Sequence, residues 1–138
     1  MHHCDLAVIK CIDFRFRESD QEFIRSTFST EDFDMFAWPG AAKQSLDSSI
    51  WKNDFIAKVK NVCIGLHGVR KLVLLWHWDC GGYGGSKAFA SESAEESKYR
   101  SDLQTVKDSL VKHLPDLEIE MAYSKAIAED ELEYTLIR

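Results

Sequence analysis

The apolar positions of this chain follow two rhythms. Residues 6–12 and 71–78 hold short, nearly unbroken apolar runs, β-branched and aromatic in character, which read as buried strands. Residues 33–38 are aromatic-rich and stop at Pro39-Gly40, as a strand stops at a turn. Residues 117–123 alternate, with Leu117, Ile119 and Met121 to one side, and residues 131–137 alternate again, as a final edge strand would. Between the strands the spacing becomes helical. Phe23, Ile24 and Phe28 mark an amphipathic helix over 18–28 with acidic residues in its first turn. Phe55, Val59, Val62 and Leu66 line one face of a helix over 48–67, capped by Asp47 or Ser48 and ended by Gly68. Tyr99, Leu103, Val106, Leu110 and Leu114 mark a third helix, which Pro115 follows.

Strands alternating with helices build a parallel sheet covered on its faces. The predicted class is therefore α/β: one three-layer α/β/α domain over residues 1–138, whose mostly parallel central sheet has four strands plus a C-terminal edge strand. Ligands of such sheets bind beyond the carboxyl ends of the strands, where the strand order reverses.

Two predicted strand ends carry reactive residues. Cys11-Ile-Asp13-Phe-Arg15 follows the first strand, and His77-Trp-Asp-Cys80-Gly81-Gly82 follows the third. A two-residue gap in a turn lets an imidazole and a thiolate converge on one ion, and this mixture of donors suits zinc. Cys11, His77 and Cys80 supply three ligands, with Asp13 or a water as the fourth, which is the pattern of a catalytic site rather than a closed structural one. Asp13 can accept a hydrogen bond at the fourth position or occupy that position itself. A bidentate Arg15 would hold it off the metal, which a lysine could not. The glycines allow a sharp turn and leave the N–H groups of Gly81 and Gly82 free to meet an anion.

Taken together, Cys11-x-Asp13-x-Arg15 and the later His77-x-x-Cys80-Gly81 resemble the motifs of the β-class carbonic anhydrases. Trp38-Pro-Gly-Ala-Ala42 lies where that family has a short glycine-containing segment. The resemblance implies a zinc enzyme that converts CO2 reversibly to bicarbonate through a zinc-bound hydroxide. It also implies an orienting Asp13–Arg15 dyad, bicarbonate contacts at Gly81 and Gly82, and a homodimer or higher homo-oligomer. The chain departs from the pattern at three places. Trp38 and Pro39 stand where the family usually has asparagine and alanine, and Trp76 replaces a common glycine. Ten residues precede Cys11, so the helical arm that joins subunits in larger members, and can supply a glutamine to the partner's site, is expected to be missing. Lys43 or Gln44 could replace that hydrogen bond. Two further readings stay open: the same hydroxide acting on carbonyl sulfide or carbon disulfide, and a non-catalytic zinc- or anion-binding module.

Charge and cysteine usage narrow the partners. A formal net charge of −6 offers no basic surface for counterion release, so neither nucleic acid nor an anionic membrane is expected, and small neutral or singly charged substrates fit. No apolar stretch approaches the ~18 residues of a membrane span, and the amino terminus does not read as a secretory signal. Cysteines 4, 11, 63 and 80 form no compact disulfide framework, which points to a reducing, cytoplasmic setting. Cys63 is expected in the core, Asp79 beside the ligands or solvated, and His67 and His113 at helix ends. His2-His3-Cys4 reads as an unstructured end or expression remnant, able at most to hold stray metal.

Overall fold

A computed structural model describes residues 2–138. Its strands are β1 (Leu6–Cys11), β2 (Asp34–Trp38), β3 (Lys71–His77), β4 (Glu118–Ala128) and β5 (Glu131–Ile137). They form one sheet in the order β2-β1-β3-β4-β5. The first four strands are parallel, and β5 returns antiparallel along β4. The α-helices are α1 (Arg17–Phe28), a short α2 (Gln44–Asp47), α3 (Ser49–Lys58) and α4 (Glu92–His113). The predicted α/β class and the C-terminal edge strand are both present.

The two faces of the sheet explain the unbroken apolar runs, because a parallel strand covered on both sides has no polar face to alternate with. Ala7 and Ile9 of β1, Leu72, Leu74 and Trp76 of β3, and Ile119 and Met121 of β4 pack with Phe55 of α3 and with Tyr99, Leu103, Val106 and Leu110 of α4. On the opposite face Leu6, Val8 and Val73 pack with Ile24, Phe23 and Phe28 of α1. The exception in β1 is Lys10, which is buried on the α1 side and pairs with buried Asp20 at 3.0 Å. Tyr134 of β5 also donates its hydroxyl to Asp20. Removing one partner of such a buried pair typically costs about 3–5 kcal/mol, so Lys10 and Asp20 tie α1 to the sheet as a unit.

Three sequence expectations are corrected. The helix expected over 48–67 is α-helical only to Lys58 and continues as π-helical turns through Ile64, with the Gly65 N–H donating to the Lys60 carbonyl at 2.9 Å. The wider turn shifts the buried stripe to Phe55, Val59 and Cys63, and leaves Val62 and Leu66 exposed. Asp47 belongs to α2, within the stretch read as loop, and Ser48 caps α3 by accepting from the Trp51 N–H. β4 continues past Tyr123 to Ala128, because β5 supplies the pairing partner there.

The chain passes from β1 to β2 on one side and crosses back to β3 on the other. The strand order thus reverses between neighbouring β1 and β3, whose carboxyl ends carry Cys11 and His77.

Candidate metal centre

Cys11 ends β1, His77 ends β3, and Cys80 sits in the turn that follows. Their ligand-capable atoms all lie within 4.8 Å of one another, and all three residues are buried. The imidazole is fixed on both sides. Its ring packs on Phe16 with centroids 4.3 Å apart, and Nδ1 lies 2.7 Å from the Trp78 carbonyl. Nδ1 therefore carries the proton of the neutral ring, leaving the Nε2 lone pair free. Nε2 is buried and, among the described residues, has no well-formed hydrogen-bond partner, the Cys11 sulfur being its nearby neighbour. Such an atom ordinarily costs about 1–3 kcal/mol, and an ion between it and two thiolates would satisfy it. This donor set fits zinc.

The electrostatics agree. A hydrogen bond from the Cys80 thiol, opposed by burial and aided by His77 and the Gly40 backbone, brings the Cys11 pKa well below the ordinary thiol value. Cys80 moves up from the ordinary thiol value through the same hydrogen bond and its own burial, against a lowering contribution from the Gly82 N–H. The pair therefore holds one thiolate and one proton. For His77, burial opposes the charged ring, but the nearby Cys11 sulfur and the Trp78 carbonyl outweigh it and raise the pKa. An ion entering this site must displace protons.

Asp13 opens the 3-10 turn Phe14–Phe16, and Arg15 of that turn folds back on it. Arg15 Nε donates to both carboxylate oxygens at 3.1 Å, Nη2 donates to Oδ2 at 2.7 Å, and the Arg15 backbone N–H donates to Oδ1 at 3.0 Å. Nη1 then reaches Asp79 Oδ2 at 2.9 Å, and Nη2 reaches the Asp79 carbonyl at 3.0 Å. Asp13 Oδ2 stands 3.9 Å from His77 Nε2. The carboxylate faces the donor cluster while the guanidinium holds it. Hydrogen bonding from Arg15, against burial, keeps the Asp13 carboxyl below the ordinary range.

Sequence reasoning placed Asp79 beside the ligands or in solvent, and missed the rest of the support behind this site. Asp79, with a left-handed φ of 56°, accepts the Ser86 N–H at 2.8 Å on its free oxygen. Buried Glu95 accepts from the Asp79 N–H at 2.9 Å, and from the Ser86 and Tyr99 hydroxyls at 2.8 Å each. Trp76 Nε1 donates to the Tyr83 hydroxyl at 2.8 Å, which donates to Asp102 at 2.7 Å. A signal existed: extending the Tyr99–Leu103–Val106 stripe back by one turn puts Glu95 on the buried face.

A cavity of ≈ 550 Å³ opens beside the centre, lined by Cys11, Ile12, Asp13, Phe14, Arg15, Pro39, Gly40, Gly81 and Gly82. Trp76 is core, and Trp38 is half exposed. Lys43 faces Asp47 at 3.5 Å and lies over the Tyr83 ring. Gln44 opens α2.

Comparison with known proteins agrees with this geometry. Uncharacterized protein RC0076 of Rickettsia conorii (strain ATCC VR-613 / Malish 7) is 21% identical over 123 residues, which cover 86% of this chain and 66% of that protein. The chain thus spans just under two thirds of the length of that relative. The family model described as "Putative carbonic anhydrase" matches residues 1–125. Because that match takes in β1 to β3, α4 and every donor of the centre, the chain belongs to this carbonic-anhydrase family.

Proposed function

We propose that this protein catalyses the reversible hydration of CO2 to bicarbonate at a zinc ion held by Cys11, His77 and Cys80. The observation that carries the reading is the partnerless Nε2 of His77, buried against two thiols and faced by an arginine-held carboxylate. Bound zinc would supply a water acidified enough to act as a nucleophile near neutral pH.

The remaining tasks fall to side chains of this chain. Cys11 and Cys80 bring negative charge, and the Trp78 carbonyl holds His77 in the tautomer that offers Nε2. Arg15 restrains Asp13 from becoming a ligand yet leaves it beside the cavity as a hydrogen-bond acceptor. Asp79 in turn fixes Arg15. Ile12, Phe14 and Pro39 give the cavity an apolar side suited to a small uncharged molecule. The N–H of Gly81, at a residue that lines the cavity, is the contact for the anionic product, with Gly82 next to it and its N–H toward the Cys80 sulfur.

The working unit in this reading is a homodimer or larger assembly, which the half-exposed Met35 and Trp38 on edge strand β2 support. A cytoplasmic setting is supported by the four free cysteines. No helix among the described residues is long and apolar enough to cross a membrane.

The test is hydration of CO2 by zinc-loaded protein, with carbonyl sulfide and carbon disulfide as competing substrates. Faster turnover of CO2 than of either sulfur compound, lost in Cys80→Ala, supports the reading. Preference for a sulfur compound, or full zinc occupancy without turnover of any of the three, contradicts it.

A further inference from the structure

Three donors of different kinds also meet at the other end of the sheet. Cys4 precedes β1, Asp34 opens β2, and His67 lies in the turn before β3. Their thiol, carboxylate and imidazole donor atoms all lie within 4.8 Å of one another, and all three residues are half-buried. Six residues of β1 separate this end from the first centre, roughly 20 Å at strand rise.

The cluster is fixed by the backbone, contrary to the expectation of an unstructured end. The Cys4 N–H donates to the His67 carbonyl at 3.0 Å, and the Arg70 and Lys71 N–H groups donate to the Asp5 carbonyl at 2.9 and 3.1 Å. His3 contacts Asp5 through Nε2 at 3.0 Å, and its ring lies so close over Gly68 that a Cβ there would stand 2.8 Å from Nδ1. His67 is not free at a helix end: its Nδ1 lies 2.8 and 2.9 Å from the two oxygens of Asp34.

We propose that Cys4, Asp34 and His67 bind a second divalent transition-metal ion, of the zinc class. The donor types decide the class, since magnesium and calcium take oxygen ligands whereas a sulfur, nitrogen and oxygen set matches zinc. Tetrahedral zinc places its donors roughly 3.3–3.8 Å apart; all donors here lie within 4.8 Å of one another, and an ion would replace the proton shared by His67 and Asp34, whose 2.8–2.9 Å contact opens slightly. A ≈ 430 Å³ cavity adjoins it, lined by His2, His3 and Asp32 as well, and gives room for a water or an added imidazole as fourth ligand. The same three residue types could form a cysteine–histidine–aspartate nucleophile, but Cys4 Sγ directs its hydrogen bond to the Leu6 carbonyl at 3.6 Å rather than to His67. An ion here would clasp the segment before β1 to β2 and to the turn before β3. Its role is structural.

Zinc per chain, measured by elemental analysis after loading and extensive dialysis, tests the proposal, and cobalt substitution adds thiolate charge-transfer bands. Wild-type protein is expected to retain two equivalents, and Cys80→Ala, Cys4→Ser and His67→Ala one each. In Cys80→Ala the remaining equivalent should still raise the melting temperature and give a cobalt–thiolate band that Cys4→Ser removes. Cys4→Ser, at a half-buried position outside every helix and strand, keeps the test valid should His67→Ala fail to fold. A single wild-type equivalent, lost in Cys80→Ala and untouched by Cys4→Ser, overturns the proposal. So does a second equivalent that survives Cys4→Ser and His67→Ala but is lost in His2→Ala/His3→Ala.

Discussion

Gly40 and Gly82 touch backbone to backbone: a methyl group on Gly82 would stand 3.0 Å from the Gly40 Cα and 3.5 Å from the Cys80 sulfur. The contact joins the loop after β2 to the turn after β3, and it presents the Gly40 backbone to Cys11 and the Gly82 backbone to Cys80. Gly82→Ala is expected to force the loops apart, costing about 1–3 kcal/mol of stability, and to weaken zinc binding at least tenfold. Gly81→Ala meets open space and should leave both unchanged. Melting curves and competitive zinc titrations of the two variants check the contrast.

Arg15→Lys removes the fork that holds Asp13. Zinc content should stay at the wild-type level while turnover falls about 10–100-fold, the range for losing a group that orients a metal site. The pH dependence follows from the depressed Asp13 carboxyl. A lowered carboxyl contributes stability above its unfolded pKa, and that stability is lost as pH falls through the folded value. With the fork gone, the Asp13 pKa rises and the acid limb of the stability curve should move to higher pH.

Zinc affinity should fall steeply on acidification. Cys80 keeps its thiol proton and the His77 pKa is raised, so binding displaces the thiol proton and, where the ring is charged, the ring proton as well, and the apparent affinity drops as pH falls. Isothermal titrations in buffers of different ionisation enthalpy count those protons. Where the ring is charged, His77→Ala should release one fewer.

Glu95→Gln keeps the volume but sets an amide donor among three donors: the Asp79 N–H and the Ser86 and Tyr99 hydroxyls. A loss of about 1–3 kcal/mol is expected. The Tyr99 hydroxyl also accepts the Cys80 N–H at 3.3 Å, so zinc affinity should weaken alongside. Thermal melts of zinc-free and zinc-loaded protein separate the two effects.

The sheet was legible because burial on both faces writes itself as unbroken apolar runs, and β1 and β3 are such runs. The donors were legible because strand ends at a reversal of strand order are where ligands bind, and Cys11 and His77 end neighbouring strands. What failed depended on partners distant in sequence or on a change of helical pitch. The 3.6-residue period placed Val62 and Leu66 inside, whereas the π-helical turns leave both exposed; Cys63, expected in the core, is buried there. Glu95 and Asp102 went unread, and in the fold these buried acids accept from the hydroxyls of Ser86, Tyr99 and Tyr83. The burial of Lys10 inside an apolar run depends on Asp20 and Tyr134, which arrive from α1 and β5. Cys4, Asp34 and His67 are spread across half the chain, and only the parallel pairing of β1 with β2 and β3 gathers them.

The most direct test of the central claim is the rate of CO2 hydration by zinc-loaded protein at pH 8.5, followed by stopped flow with zinc content measured alongside in wild type, Cys80→Ala and Arg15→Lys. The account predicts rapid hydration by the wild type, none above the uncatalysed rate in Cys80→Ala, and a reduced rate at full occupancy in Arg15→Lys. Hydration by wild-type protein no faster than buffer, with zinc bound at Cys11, His77 and Cys80, would contradict it.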